Sequence, residues 1–163
     1  MSTPLANVDA SWLRMDEPTN PMVVTGVLLL KTPVSVRRLR LLVQQRLLRF
    51  DRFRHRIVRP LGRAGLPSWE PDPRFSLDHQ LVVEELPAPG DEAALQELLG
   101  SLATRPLPAR RPPWRIHFVP HYQGGSAIVV RIHHCIGDGL ALVHVLLSLA
   151  DQPAALRMPV SST

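Results

Sequence analysis

A chain of 163 residues that is 45% hydrophobic and 20% charged can bury a sizeable core without a disulfide or metal staple, and it is too apolar to be disordered. Its single cysteine, Cys135, excludes an intramolecular disulfide and fits a reducing cytoplasm. The opening Met1-Ser2-Thr3-Pro4 has no secretory pattern, and the longest apolar runs, Met22 to Leu30 and Leu140 to Ala150, fall short of the roughly 20 residues that span a bilayer. The formal net charge of +5 is carried almost wholly by arginine, Lys31 being the only lysine. No aromatic residues interleave with these arginines in a nucleic-acid-binding pattern, so nucleic acid ranks last among partners.

Helices and strands alternate along the chain. Asp9 is placed to cap a short helix through Met15. The apolar run from Met22 to Leu30, ended by Pro33, reads as a buried strand. Ser35 caps a helix to about Arg49, on which Val36, Leu39, Val43, Leu47 and Phe50 share one face. Arg37, Arg38, Arg40, Arg46, Arg49, Arg52, Arg54, Arg56 and Arg59 cluster here; the plain reading is a solvated face, and the alternatives are CoA phosphates or an anionic membrane. Between Arg54 and Glu85 short strands are expected, the best over His79 to Leu86. Asp91 caps a second helix with Leu95, Leu98, Leu99 and Leu102 inward. After the proline-rich stretch Pro106 to Pro113, Trp114, Ile116 and Phe118 alternate as in a half-buried strand. Gly124-Gly125 makes a turn, and Ser126 to His133 forms the returning strand of a hairpin. Asp138 is placed to cap a third helix from Gly139 to Ala150. The domain is expected over residues 1–151, with residues 152–163 a disordered tail or a truncated interdomain linker.

The chemistry concentrates in His133-His134-Cys135-Ile136-Gly137-Asp138-Gly139. If the strand stays regular, Val130, Ile132 and His134 point one way and Arg131 and His133 the other, so the two histidines serve different surroundings. His134 stands where a buried strand gives way to a loop, and an imidazole is a competent proton acceptor near neutral pH. Asp138, four residues on, can orient that imidazole, fix the loop by an ion pair, or cap the next helix. Gly137 and Gly139 permit a tight turn and a close approach of ligand to backbone. The bland alternative is a pair of ordinary strand-end histidines. A metal site at His134 and Asp138 lacks a clear third ligand, since His144 lies ten residues on inside a helix, and Cys135 reads as a small buried residue rather than a nucleophile.

This His-His-x-x-x-Asp-Gly pattern resembles the signature of the CoA-dependent acyltransferase superfamily, which is similar in fold to chloramphenicol acetyltransferase and includes condensation domains. Pro4-Leu5, Val8 to Leu13, Pro18 to Met22, Arg46 to Phe50 and Phe53 to Arg56 resemble bacterial wax ester synthase/diacylglycerol acyltransferases, and Arg111-Pro112-Pro113-Trp114 looks like that family's Pro-Leu-Trp motif with Pro113 in place of leucine. The resemblance implies an α/β, mixed-sheet layered domain, one half of a two-domain fold. It implies transfer of a fatty acyl group from acyl-CoA, as substrate rather than cofactor, to a long-chain alcohol or diacylglycerol. His134 would be the general base and His133 its assistant. Asp138 would hold the loop, Gly139 and Gly137 would let substrate pass close, and Pro112 and Trp114 would support the fold or the acyl channel. No metal is implied. A second domain with an Asn-Asp motif is expected to complete the tunnel, supplied by a C-terminal half or a homo-oligomer. The expected setting is cytoplasmic, with peripheral contact at a membrane or lipid droplet. Two other readings stay open: a non-catalytic module that binds acyl-CoA, a membrane or a partner half, and another acyltransferase or condensation domain with the same signature.

Overall fold

The computed structural model describes residues 2–60, 65–137, 143 and 147–149. Among them the chain forms β1 (Thr3–Pro4), α1 (Asn7–Met15), β2 (Val23–Leu30), α2 (Val36–Leu42), β3 (His55–Val58), β4 (Ser68–Pro71), α3 (Leu77–Gln80), β5 (Leu81–Val83), α4 (Glu92–Thr104), β6 (Trp114–Tyr122) and β7 (Gly125–His133). The main sheet has the order β2-β7-β6-β5, and a small one has the order β1-β4-β3. β5 runs parallel to β6 while β7 is antiparallel to both its neighbours, so the main sheet is mixed, as the expected α/β layered domain requires.

β7 lies inside the main sheet because its sequence tolerates burial on both faces: all nine residues are buried. β2 differs from its expected burial. It is the edge strand, and Val27 and Leu29 remain 38% and 59% exposed on the uncovered face. A continuous apolar run shows that both faces tolerate apolar residues, not that both are covered. The hairpin turn is also shifted by one residue from the expected Gly124-Gly125. Gln123 and Gly124 are its central residues, with φ of 47° and 79°, which is the positive-φ pair a two-residue hairpin favours. Gly125 already pairs with Tyr122 and serves a different need, since a Cβ there would stand 1.8 Å from the Leu30 carbonyl oxygen.

Helix ends follow local side-chain chemistry with one exception. The Ser35 hydroxyl accepts from the Arg38 N–H at 3.2 Å, and the Asp91 carboxylate accepts from the Ala94 N–H at 3.0 Å. Asp9 caps nothing: α1 starts after Ala6, and Asp9 sits buried inside the helix. α2 continues into a wider turn over Val43–Leu47, closed by Leu48 N–H donating to the Val43 carbonyl. Leu39, Val43 and Leu47 are fully buried, whereas Val36 and Phe50, at the two ends of the expected stripe, are 38% and 46% exposed. The strand expected over His79 to Leu86 shrinks to β5. Ser76 caps the short turn α3, which takes His79 and Gln80 out of extended conformation.

The central strands β6 and β7 are packed on both faces. Ile116, Phe118, Ile128, Val130 and Ile132 join Leu39, Val43 and Leu47, Ala10 and Leu13 of α1, and Trp69 in one core cluster. On the other side Val119, Tyr122 and Ala127 meet Leu95, with Leu86, Leu98 and Leu99 at the margin. Among the described residues no helix is long and apolar enough to cross a membrane.

The hairpin gives a test of this packing. Gly124→Ala has open space around it and loses only the left-handed preference, about 1 kcal/mol. Gly125→Ala drives a methyl group into the Leu30 carbonyl and separates β2 from β7, so it lowers the melting temperature considerably more. Paired thermal melts that show equal losses would contradict the edge position of β2.

Candidate active site

The end of β7 is held from both sides. The His133 N–H donates to the Pro113 carbonyl at 3.0 Å, and the His134 N–H donates to the Met22 carbonyl at 2.9 Å. Past this point the chain turns in a single 3₁₀ turn, His134–Ile136. His133 Nδ1 accepts from the Cys135 N–H at 3.1 Å, which fixes the neutral tautomer with its proton on Nε2. Nε2 lies 3.5 Å from Asp16 Oδ2, near enough for electrostatic attraction but outside hydrogen-bond geometry. The other carboxylate oxygen of Asp16 accepts from the Met22 N–H at 2.9 Å, so one aspartate steadies both the entry of β2 and the first histidine.

The two histidines diverge, as the strand alternation predicts. His133 is 5% exposed and lines a cleft of about 860 Å³, bounded by the end of α1, β3 and the segment between α4 and β6. His134 is half-buried and stacks on Trp12 of α1, with ring centroids 4.6 Å apart and planes 20° from parallel. Burial pushes the His133 imidazole below its ordinary value, with the Asp16 carboxylate opposing and His134 and Arg59 adding to the fall. Burial also pushes the Cys135 thiol up to about 12, so it is no nucleophile at neutral pH.

The loop is braced by an arginine. Arg52 Nη1 donates to the Ile136 carbonyl at 2.8 Å and lies 3.2 Å from Asp9 Oδ2. Its guanidinium lies 5.7 Å from the centre of the Trp69 ring. One cation thus ties α1, the small sheet and the histidine turn together. Most of the arginine cluster is exposed, as a solvated face requires, and several members also reach other elements. Arg40 pairs with Asp78 at 2.5 Å, Arg46 donates to the Ser148 carbonyl, and Arg56 approaches Glu70 at 3.8 Å.

His133, His134 and Gly137 come together at this turn, whereas Asp138 and Gly139 lie outside the described residues, as do the tail over 152–163 and most of the helix expected after them. Trp114 is fully buried. Its Nε1–H donates to the Phe53 carbonyl at 2.9 Å and its ring meets Phe53 edge-on at 5.7 Å. The Gln80 amide donates to the Pro112 and Trp114 carbonyls at 3.1 and 2.7 Å, so Pro112 and Trp114 lock the start of β6. On the α4 side of the sheet Arg115 faces Arg131 in register, and His117 Nδ1 sits 2.7 Å from Glu84. Burial lowers the pKa of His117 too, against the pull of Glu84. Among the described residues no three His, Cys, Asp or Glu side chains converge as metal ligands.

Trp12, Asp16 and Arg52 surround the turn but were not singled out as site residues from the sequence. Their partners lie tens of residues away in the chain, and no spacing rule links them. Trp12 stood only within the N-terminal stretch of the family resemblance, and Arg52 only within the arginine cluster.

Solved structures define the class. The chain is similar to the wax ester synthase/diacylglycerol acyltransferase from Marinobacter aquaeolei VT8, with a TM-score of 0.71 and 26% identity over 87% of this chain and 35% of that one. It shares its fold with the starter condensation domain of rhizomide synthetase RzmA, with a TM-score of 0.72 and 17% identity over 92% of this chain and 38% of that one. Residues 5–162 match the wax ester synthase/diacylglycerol acyltransferase catalytic domain, and the chain belongs to that family. Among curated relatives, a probable diacylglycerol O-acyltransferase, tgs3, of Mycobacterium tuberculosis (strain ATCC 25618 / H37Rv) is 30% identical over 95% of this chain and 60% of its own length. Another, tgs1, of the same strain is 37% identical over 66% of this chain and 24% of its own length. The chain therefore spans less than two thirds of these relatives.

Two measurements check the geometry. Arg52→Met removes the brace on Ile136 and costs about 1–2 kcal/mol, and Cys135 then reacts faster with a thiol reagent. Unchanged labelling would mean that Arg52 does not hold the turn. The second concerns pH. A histidine held below its ordinary value of 6.5 binds fewer protons folded than unfolded, so its stabilising share is complete above that value and is lost as pH falls below it, until the folded ring protonates. Urea midpoints drop between about pH 7.5 and about pH 5.5, and His133→Gln makes that drop shallower.

Proposed function

We propose that this chain supplies the histidine-bearing part of an acyl-CoA-dependent O-acyltransferase that acts on a lipid hydroxyl, a long-chain alcohol or diacylglycerol. The observation that carries the reading is His134 at the end of the fully buried β7, clamped through its own N–H to Met22 and stacked on Trp12. Membership of the family and the acyltransferase names of its relatives support the same chemistry.

In this mechanism the His134 imidazole takes the proton of the acceptor hydroxyl as that oxygen attacks the thioester carbonyl carbon. The tetrahedral intermediate collapses with cleavage of the carbon–sulfur bond. The imidazolium returns its proton to the departing CoA sulfur, leaving an ester and free thiol. His133, already tied to Cys135 N–H and facing Asp16, shapes the turn on which the base rides. Asp138 holds the loop, Gly137 and Gly139 allow close approach of substrate, and Pro112 and Trp114 support the strand end from behind. A second domain, from a C-terminal half or a partner copy, closes the chamber against water. An acyl acceptor drawn from a bilayer or lipid droplet implies peripheral contact with that surface from the cytoplasmic side.

In an assembly that includes the second domain, His134→Ala lowers acyl transfer by ~100- to 10,000-fold while the protein stays folded. His133→Ala costs less in rate and about 1 kcal/mol in stability, through the lost bond to Cys135. The assay follows thiol release from palmitoyl-CoA with a long-chain alcohol, beside a melt of each variant. Full turnover in folded His134→Ala would remove the general-base role.

A further inference from the structure

The cleft beside His133 carries more positive charge than the chemistry at His134 requires. Arg56, Arg59, Arg105, Arg110 and Arg111 line it, against the carboxylates of Asp16 and Glu17. Three of these arginines are engaged. Arg111 contacts Asp72 at 3.3 Å and the Arg74 carbonyl, Arg56 lies 3.8 Å from Glu70, and Arg105 donates to the Ser101 hydroxyl at 2.9 Å. Asp16 is committed to Met22 and His133.

Arg59 and Arg110 are exposed and form no ion pair or hydrogen bond among the described residues. Arg59 nevertheless lies close enough to His133 to act on its charge. Arg110 sits at φ 60°, so the backbone holds an uncommon conformation at the cleft rim. Leu13, Val23, Ile57, Val58 and Leu107 make the rest of the wall apolar. A cleft of about 860 Å³ with unpaired guanidinium groups and an apolar side suits a slender molecule with several phosphates at one end.

We propose that this cleft seats the phosphorylated nucleotide of an acyl-CoA, with Arg59 and Arg110 on its phosphates. The assignment rests on the acyl-CoA reading above and deepens it, and it gives the cleft beside His133 a part in holding the donor.

The test is titration calorimetry on the full chain with CoA, adenosine 3′,5′-bisphosphate and inorganic phosphate, together with sedimentation with phosphatidylglycerol vesicles. CoA and the bisphosphate compete for one site, bind more tightly than inorganic phosphate, and weaken as salt rises. Arg59→Ala combined with Arg110→Gly raises both dissociation constants about tenfold or more, without lowering the melting temperature. His134→Ala leaves them unchanged, so a failure of the general-base role appears in turnover and a failure of this site appears in binding. Absence of CoA binding, or equal binding by the double variant, overturns the proposal. So does inorganic phosphate binding as tightly as CoA, which would make the cleft a general anion site. Vesicle binding that depends on the two arginines without CoA binding would assign the cleft to a lipid surface and overturn it as well.

Discussion

Everything around the histidine turn depends on the burial of β7 between β2 and β6. A strand of nine buried residues paired with neighbours on both sides leaves its last residue little freedom. The hydrogen bonds from His133 to Pro113 and from His134 to Met22 extend that restraint past the sheet itself. Two adjacent side chains can then be sent to opposite faces and stay there: one into a cleft, the other onto Trp12. A general base gains from such a platform because proton transfer requires hydrogen-bond distances that a mobile loop would blur.

The second layer of restraint is electrostatic and comes from the chain before the sheet. Asp9, Asp16 and Arg52 carry opposite charges to the same few residues, and none is fully in water. Arg52 donates to a carbonyl of the turn and stands in ion-pair contact with a carboxylate of α1, so these partners offset part of its desolvation. The arginines therefore divide by partner rather than by position along the helix. Some act as struts between elements, as Arg46 and Arg52 do, and others such as Arg59 face open space.

The sequence displayed the strands and helices wherever local chemistry decides them. Ser35 and Asp91 announce their helices because a cap is a contact across three residues, and the alternation of Trp114, Ile116 and Phe118 marks a strand because pleat sets the period. Tertiary placement decides the rest. Asp9 has the chemistry of a cap, but Arg52 claims it from another part of the chain; Met22 to Leu30 is apolar enough for a central strand, but the sheet ends there. The site was legible as a motif, which marked His133 and His134, and opaque as a constellation. Trp12 and Asp16 reach the turn only once α1 folds against it, and spacing in sequence carries no trace of that approach.

The stack of Trp12 on His134 also gives this molecule a built-in optical probe. Its three tryptophans sample three different places: Trp114 the closed core, Trp69 the small sheet beneath Arg52, and Trp12 the imidazole itself. Indole emission is sensitive to a charge or a ligand set against its face, and only Trp12 has a histidine ring there among the described residues. The difference in fluorescence between the protein and Trp12→Phe therefore isolates events at the imidazole from events elsewhere in the fold. Arrival of an acyl chain, displacement of the ring and a change in its charge would each register as light, before any product is made.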